Sequence, residues 1–266
     1  MKSNIENKQR MEKWHIISPD AEGFHKVIEP GSQDCKSIHI YRLNLSNGGR
    51  YALNSRELEM NGVLIKGSAR IKSAKMKHDM NKLDSFYIPA NTTLDITATS
   101  DIIMYIGAAL YEGIGEEFFR RFEKDLPIGE IHQIHGSGVG QRDVMFTLNP
   151  EIPASRLICG LTWGGNGSWT SWPPHQHEKD LEEVYCYFDM EQPKFGLHLS
   201  YLKSGEVNDI VAHPVRSGSM VLAPCGYHPT VASPGTRNTY FWVLAAFSPS
   251  SRRYDLAVLD EQYKNT

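Results

Sequence analysis

The sequence predicts an all-β fold of two tandem barrels or jelly rolls, for two reasons. Short strand-like runs dominate the chain, and its two halves resemble each other. The runs are rich in β-branched and aromatic residues, which suit a pleated, half-buried surface. Gly, Pro, Asn and Ser clusters bound them, as turns require.

In chain order, strands are expected in SIHIYRLNL (37–45), NGVLIKGSARI (61–71), DSFYIPA (84–90) and DIIMYIGAAL (101–110). GEEFFRRFEKDL (115–126) breaks the pattern. Its Phe118, Phe119, Phe122 and Leu126 fall at helical spacing, which predicts a short amphipathic helix. The glycine-rich PIGEIHQIHGSGVGQRD that follows reads as a linker. Strands resume in EVYCYF (183–188), FGLHLSYL (195–202), GSMVLAPCGYHPTVA (218–232) and NTYFWVLAAF (238–247). Helix and linker thus divide the chain into residues 1–125 and 126–266.

The repeat lies between DSFYIPANTTLDIT with DIIMYIGAAL and GSMVLAPCGYHPTVA with NTYFWVLAAF. Each reads as a strand ending in proline, a turn, another strand, then a strand closing on two alanines. The matched prolines, Pro89 and Pro224, are about 135 residues apart.

Length and charge narrow the function classes. A chain of 266 residues can bury a substantial core. Lys and Arg total 28 against 31 Asp and Glu, a net charge of −3 with pI near 6.4, so neither nucleic acid nor an acidic membrane is an expected partner. The basic pairs Arg120-Arg121 and Arg252-Arg253 sit among acidic residues and read as solvated surface. The polar start, MKSNIENKQRMEKWHIISPD, lacks the apolar core of a signal peptide, and no apolar run is long enough to span a bilayer. Cys35, Cys159, Cys186 and Cys225 lie far apart, without zinc-knuckle or redox-pair spacing. A cytoplasmic protein with reduced thiols is the expectation.

The chemistry concentrates in SWPPHQHEKDLEEVYCYF. His175 and His177 are spaced i, i+2, so on a strand both imidazoles point to one face, and the preceding Pro173-Pro174 favours extended backbone. Neutral imidazole is a common ligand for divalent transition metals. A glutamate follows, and His228 comes about 50 residues later in the GYHP turn. Three imidazoles and one carboxylate would hold a cation and leave positions open for substrate. Glu182 and Glu183 leave the strand on opposite faces. Glu183 shares its face with Tyr185 and Tyr187, which suits a polar barrel interior; Glu182 shares its face with Val184, Cys186 and Phe188. Glu183 is the preferred ligand and Glu182 the alternative. The remaining histidines, including His132, His135 and His213, lack partners at ligand spacing and are expected to be structural or exposed.

These residues resemble the uronate isomerase family of cupins, which acts in myo-inositol catabolism and pectin breakdown. The resemblance covers both halves and is sharpest from about residue 135 to 255, through HGSGVGQRDV, GNGSWTSWPPHQH, LEEVYCY, the FGL segment and VLAPCGYHPTVASPG. In the pectin-pathway members the ligand glutamate directly precedes a Val-Tyr pair, the place of Glu183. His198 stands where the family would have glutamine.

The resemblance implies tandem double-stranded β-helix barrels, a bicupin, with His175, His177, Glu183 and His228 as ligands of one divalent cation. Zinc is the first expectation, with manganese, iron or nickel as alternatives. It also implies a single site, in agreement with a first half that has no HxH and no histidine around PANTT. The implied reaction is aldose–ketose isomerisation of 5-deoxy-glucuronate to 5-dehydro-2-deoxy-gluconate. Rival readings are isomerisation of 5-keto-4-deoxyuronate, or a metal-binding cupin of another class, either oxygenase or sugar-binding regulator. Tyr185 and Tyr187 are candidates to face the substrate, and Arg142 and Lys194 to bind its carboxylate. No residue stands out as the general base. A homo-oligomer is expected.

Overall fold

Four of the five sheets form two sandwiches of the same plan in the structure, a computed structural model that describes residues 2–205 and 207–264. In the first half, a six-stranded antiparallel sheet runs in the order Phe118–Arg120, Ser85–Ile88, Leu58–Lys66, Ile102–Leu110, His39–Leu45, Gly23–Ile28. A four-stranded sheet of Arg50–Asn54, Thr93–Ala98, Ala69–Lys72 and Lys77–Met80 accompanies it. In the second half, a seven-stranded sheet runs His15–Ile17, Ser219–Ala223, Leu181–Tyr187, Thr239–Ala246, Leu157–Gly164, Arg142–Leu148, His132–His135. Its companion holds Trp169–Thr170, Thr230–Ala232, Gly196–Ser200 and Val211–Val215. The repeat read from the sequence therefore corresponds to matched strands: its first and last in the two large sheets, and its middle ones, Thr93–Ala98 and Thr230–Ala232, in the two small ones.

Strand alternation sorts the apolar residues into three cores. Leu43, Leu64, Phe86, Leu94 and Met104 fill the first barrel. Phe146, Tyr185, Tyr187, Val221 and Trp242 line the second. The third core lies between the barrels: Ile40, Val63 and Tyr105 meet Leu161, Val184, Cys186 and Val243. The sheets approach so closely that a Cβ on Gly107 would sit 2.6 Å from both methyls of Val243.

Two buried carboxylates link the barrels reciprocally. Glu59, on Leu58–Lys66, accepts from the backbone N–H of Ser155 (2.8 Å), Arg156 (2.6 Å) and Leu157 (2.7 Å) in the second half. Glu182, on Leu181–Tyr187, accepts from the backbone N–H of Lys36 (2.9 Å), Ser37 (2.6 Å) and Ile38 (2.6 Å) in the first. Both are fully buried. Charge-assisted bonds to several amides offset part of the cost of burying each carboxylate, and at Glu59 burial still prevails and raises the carboxyl above its ordinary value.

The short helix expected at 115–126 is not formed. Phe118–Arg120 is instead an edge strand, with Phe118 opposite Tyr87 and Phe119 opposite Phe86. The adjacent phenylalanines serve different cores, Phe118 the layer between the barrels and Phe119 the first barrel. Two apolar residues on opposite strand faces imitate a helical i, i+1, i+4 pattern. The helix found is Lys2–Glu12, whose sequence is mostly polar. Buried Met11 and Trp14 anchor its end, and Arg10 and the Trp14 indole both donate to Asp34. The following strand, His15–Ile17, pairs with Ser219–Ala223, so this N-terminal segment builds onto the second barrel.

Two arginines read as solvated surface have structural partners. Arg120 donates to Phe146 O and Asn149 Oδ1, both at 2.8 Å, and Arg252 donates to the carbonyls of Leu157, Pro150 and Asn149. All four cysteines are free thiols, and no helix among the described residues is long and apolar enough to cross a membrane.

Replacing Glu182 by Ala strands three backbone N–H groups at the barrel interface. The expected loss is about 3–9 kcal/mol of stability, at about 1–3 kcal/mol per orphaned donor. A urea midpoint within error of wild type would refute that role.

Candidate metal centre

Glu182 and Glu183 face opposite ways because they are neighbours on one central strand. With Glu182 turned to the other barrel, Glu183 enters the interior of its own, opposite Leu244 and Ala223 on the flanking strands. His175 belongs to a short strand, His175–Gln176, paired with Val258–Leu259 near the C-terminus. His177 follows directly. His228 leaves a turn at Gly226, where φ is +73° and a Cβ would lie 2.4 Å from the Tyr201 carbonyl oxygen. Only glycine accommodates that position without strain. The Gly226 N–H donates to Glu178 at 2.9 Å, tying the turn back to the histidine segment.

These elements bring one donor atom each from His175, His177, Glu183 and His228 within 4.8 Å of one another. No other such group of His, Cys, Asp and Glu occurs among the described residues. His177 Nε2 lies 3.1 Å and His228 Nε2 3.2 Å from Glu183 Oε2. His175 Nδ1 is 3.0 Å from Pro173 O, and His228 Nδ1 is 3.2 Å from Gly226 O. A carbonyl can only accept, so both Nδ1 atoms carry hydrogen and both Nε2 atoms present lone pairs. His228 Nε2 is buried without a hydrogen-bond partner, because its approach to Glu183 is not aligned as a bond. An orphaned imidazole lone pair beside two more imidazoles and a carboxylate fits a divalent cation.

Electrostatics agree with that donor set. Burial, and then the neighbouring His228 and His177, push His175 down to about 3, so it is a neutral ligand. Burial opposes charge on Glu183, yet protons on His177 and His228 in the cation-free cluster outweigh burial and hold the carboxyl below its ordinary range. A divalent cation would take the place of those protons and face the Nε2 lone pairs instead. The Tyr185 hydroxyl bonds Glu183 Oε2 at 3.0 Å and Ser171 Oγ at 3.1 Å, which orients the carboxylate.

A cavity of about 290 Å³ opens beside the cluster, lined by His175, His177, Glu183, Tyr185 and Arg142 among others. Arg142 thus reaches the cavity; its Nη1 donates to Gly140 O (3.1 Å) and Trp172 O (2.7 Å). Tyr187 shares the face of Tyr185 but lies deeper and does not line the cavity. Its hydroxyl bonds His198 Nδ1 at 2.9 Å and Thr230 Oγ1 at 3.0 Å. Two residues along a strand move a side chain about 7 Å, here past the cavity floor. Lys194 is exposed in a separate depression with Asn166, Asp189 and Arg237. It follows the strand end remote from Glu183.

The wall residues that sequence reasoning overlooked include His135, Tyr240 and Tyr254. His135, expected to be structural or exposed, comes to the cavity because His132–His135 pairs with Arg142–Leu148, with His135 opposite Arg142. Nothing in its spacing from the ligands signals that pairing. His132 bonds Leu126 O and Asp143, and buried His213 bonds Ser200, as structural residues do.

Residues 15–263 match the KduI/IolB family. A 5-deoxy-glucuronate isomerase from Geobacillus kaustophilus is 27% identical over 246 residues, 86% of each chain. The crystal structure of an IolB-like protein from Salmonella typhimurium superposes with a TM-score of 0.80 at 22% identity, covering 94% of this chain and 97% of that one. The oxalate decarboxylase of Lactobacillus farciminis, in its formate complex, gives a TM-score of 0.59 at 12% identity, over 88% of this chain and 86% of that one. At such identities the two structures speak for the bicupin fold alone.

Alanine at His175, His177, Glu183 or His228 is expected to abolish stoichiometric metal binding, whereas Glu182→Ala, if folded, keeps it. Metal analysis of the five variants checks this. Retained metal in Glu183→Ala with loss in Glu182→Ala would reverse the ligand assignment.

Acid should destabilise the metal-free protein. Burial lowers His15, His198 and His213, the last to about 4, while unfolded histidine titrates near 6.5. Between those values the unfolded chain binds protons that the native one refuses, so stability falls as pH drops. The urea midpoint is expected to be lower at pH 5 than at pH 7.5; an unchanged one would contradict neutral burial.

Proposed function

The chain belongs to the KduI/IolB family, and on that premise we propose that it is a metal-dependent isomerase converting 5-deoxy-glucuronate to 5-dehydro-2-deoxy-gluconate. The observation that carries the reading is the convergence of three imidazoles and one carboxylate on the wall of a small cavity that also presents an arginine. The name of the Geobacillus kaustophilus relative, over 86% of the chain, favours this substrate over 5-keto-4-deoxyuronate.

Aldose–ketose isomerisation moves a proton from the carbon beside a carbonyl to the carbonyl carbon. A divalent cation held by His175, His177, Glu183 and His228, zinc in the first instance, would supply Lewis-acid polarisation of the carbonyl and its neighbouring hydroxyl. Arg142 has Nη1 committed to two backbone carbonyls, which fixes the plane of its guanidinium. Its other donors can take the substrate carboxylate in a forked pair. Apolar walls at Val144, Trp242 and Leu244 exclude water and strengthen the polar contacts inside. Tyr185 holds the Glu183 carboxylate from the substrate side of the cavity.

Incubating the metal-loaded protein with each sugar acid and following aldose loss by NMR tests the reaction. Turnover of 5-deoxy-glucuronate, abolished by a chelator, is expected; no turnover of either compound would sink the reading. Arg142→Lys should raise KM about tenfold or more, corresponding to about 1.4 kcal/mol of carboxylate binding. An unchanged KM would remove Arg142 from that role.

A further inference from the structure

We propose that His135 is the catalytic base of this isomerisation, its Nδ1 carrying the proton between the two carbons, with Gln133 as the residue that positions it. The inference rests on the isomerase reading above. A base must line the cavity, lie outside the ligand set, and offer a lone pair near neutral pH. Among the described residues lining the cavity, one side chain meets all three conditions. Arg142 is a guanidinium, which donates hydrogen bonds and offers no lone pair. Tyr185, Tyr240 and Tyr254 are neutral phenols whose burial drives them further from ionisation. The remaining walls are hydroxyl, indole, proline or aliphatic groups.

His135 also has the right tautomer. Its Nε2 lies 2.7 Å from Gln133 Oε1. An amide oxygen only accepts, so Nε2 carries the hydrogen and Nδ1 presents the lone pair. Burial, and then the charge of Arg142, lower the basicity of the ring and keep it neutral. Tyr254 packs edge-on against the imidazole at 6.0 Å between ring centroids. The antiparallel pairing of His135 with Arg142 sets the base next to the group assigned to the carboxylate. One edge of the large sheet would thus hold the substrate's acid end and work on its other end.

The step balances without an oxidant or co-reactant. Nδ1 takes the hydrogen of the hydroxyl-bearing carbon next to the aldehyde. That C–H pair becomes a carbon–carbon double bond as the aldehyde π pair moves onto its oxygen. The neighbouring hydroxyl proton passes to that oxygen. The freed oxygen pair then forms the ketone, and the double-bond pair takes the proton back from Nδ1 at the former aldehyde carbon.

The test compares wild type with His135→Gln, both loaded with metal, on 5-deoxy-glucuronate. Wild-type product formed in D2O is expected to carry deuterium at the former aldehyde carbon. The variant should keep full metal content and a KM within about threefold, while kcat falls about 10²–10⁴-fold. His135→Ala should regain part of its rate with added imidazole. Should the His135 variants fail to fold, Gln133→Leu should lower kcat about tenfold with KM unmoved, and Gln133→Glu, which keeps the acceptor, should restore it. An unimpaired kcat in His135→Gln overturns the inference, as does loss of metal in step with activity. In the absence of folded His135 variants, an unimpaired Gln133→Leu overturns it. A wild type inactive on both sugar acids would instead overturn the isomerase reading.

Discussion

The reciprocal grip of Glu59 and Glu182 on the opposite barrel's backbone is the constraint from which the site follows. Each carboxylate is fully buried and gathers three backbone N–H groups of a segment in the other half. A carboxylate in such a place is tolerated only when its oxygens are saturated with donors, so neither can rotate away without a large penalty. Because successive strand residues alternate, locking Glu182 outward commits Glu183 inward. The inter-barrel contact and the turning of Glu183 into the candidate metal centre are one structural decision.

The same geometry explains why one barrel has a site and the other a core. Glu59 lies opposite Ala109 and Glu182 opposite Ala245, so Met60 occupies the place of Glu183. Around Met60 the first barrel is closed by Leu53, Leu94, Ile88 and Met104. In the second barrel three histidines take the corresponding interior space, and buried imidazoles with unpaired nitrogens would destabilise it without a partner. A cation would supply that partner for His228 Nε2, which has none from protein.

The cavity beside the cluster is assembled from segments that no single motif contains. His175 is held by pairing with Val258–Leu259, and the next residue, Asp260, donates its N–H to Pro174 O at 2.8 Å. The Asp260 carboxylate in turn accepts from Tyr201 at 2.7 Å. The opposite wall comes from Arg142 and His135 on the outermost pair of strands. Glu183 comes from the middle of the large sheet, the three histidines from the segments around it, and Arg142 and His135 from the sheet's edge. The buried positions form the candidate metal centre, and the edge positions wall the cavity beside it.

The sequence by itself determined the all-β class, the tandem repeat and the four clustered residues. Those features are written in local patterns: period-two alternation, turn residues, and an i, i+2 histidine pair followed by a carboxylate on the polar face of a strand. Arg142, a candidate because its fork suits a carboxylate, lines the cavity. Tertiary structure alone decided that Tyr187 lies too deep and Lys194 too far away, since alternation gives a side chain's face but not its depth along a barrel. It also decided that Phe118 and Phe119 serve two cores from one strand, because adjacent apolar residues carry no period. His135 reached the cavity only through its pairing opposite Arg142. Such long-range registers depend on how strands meet across a sheet, which no stretch of sequence specifies alone.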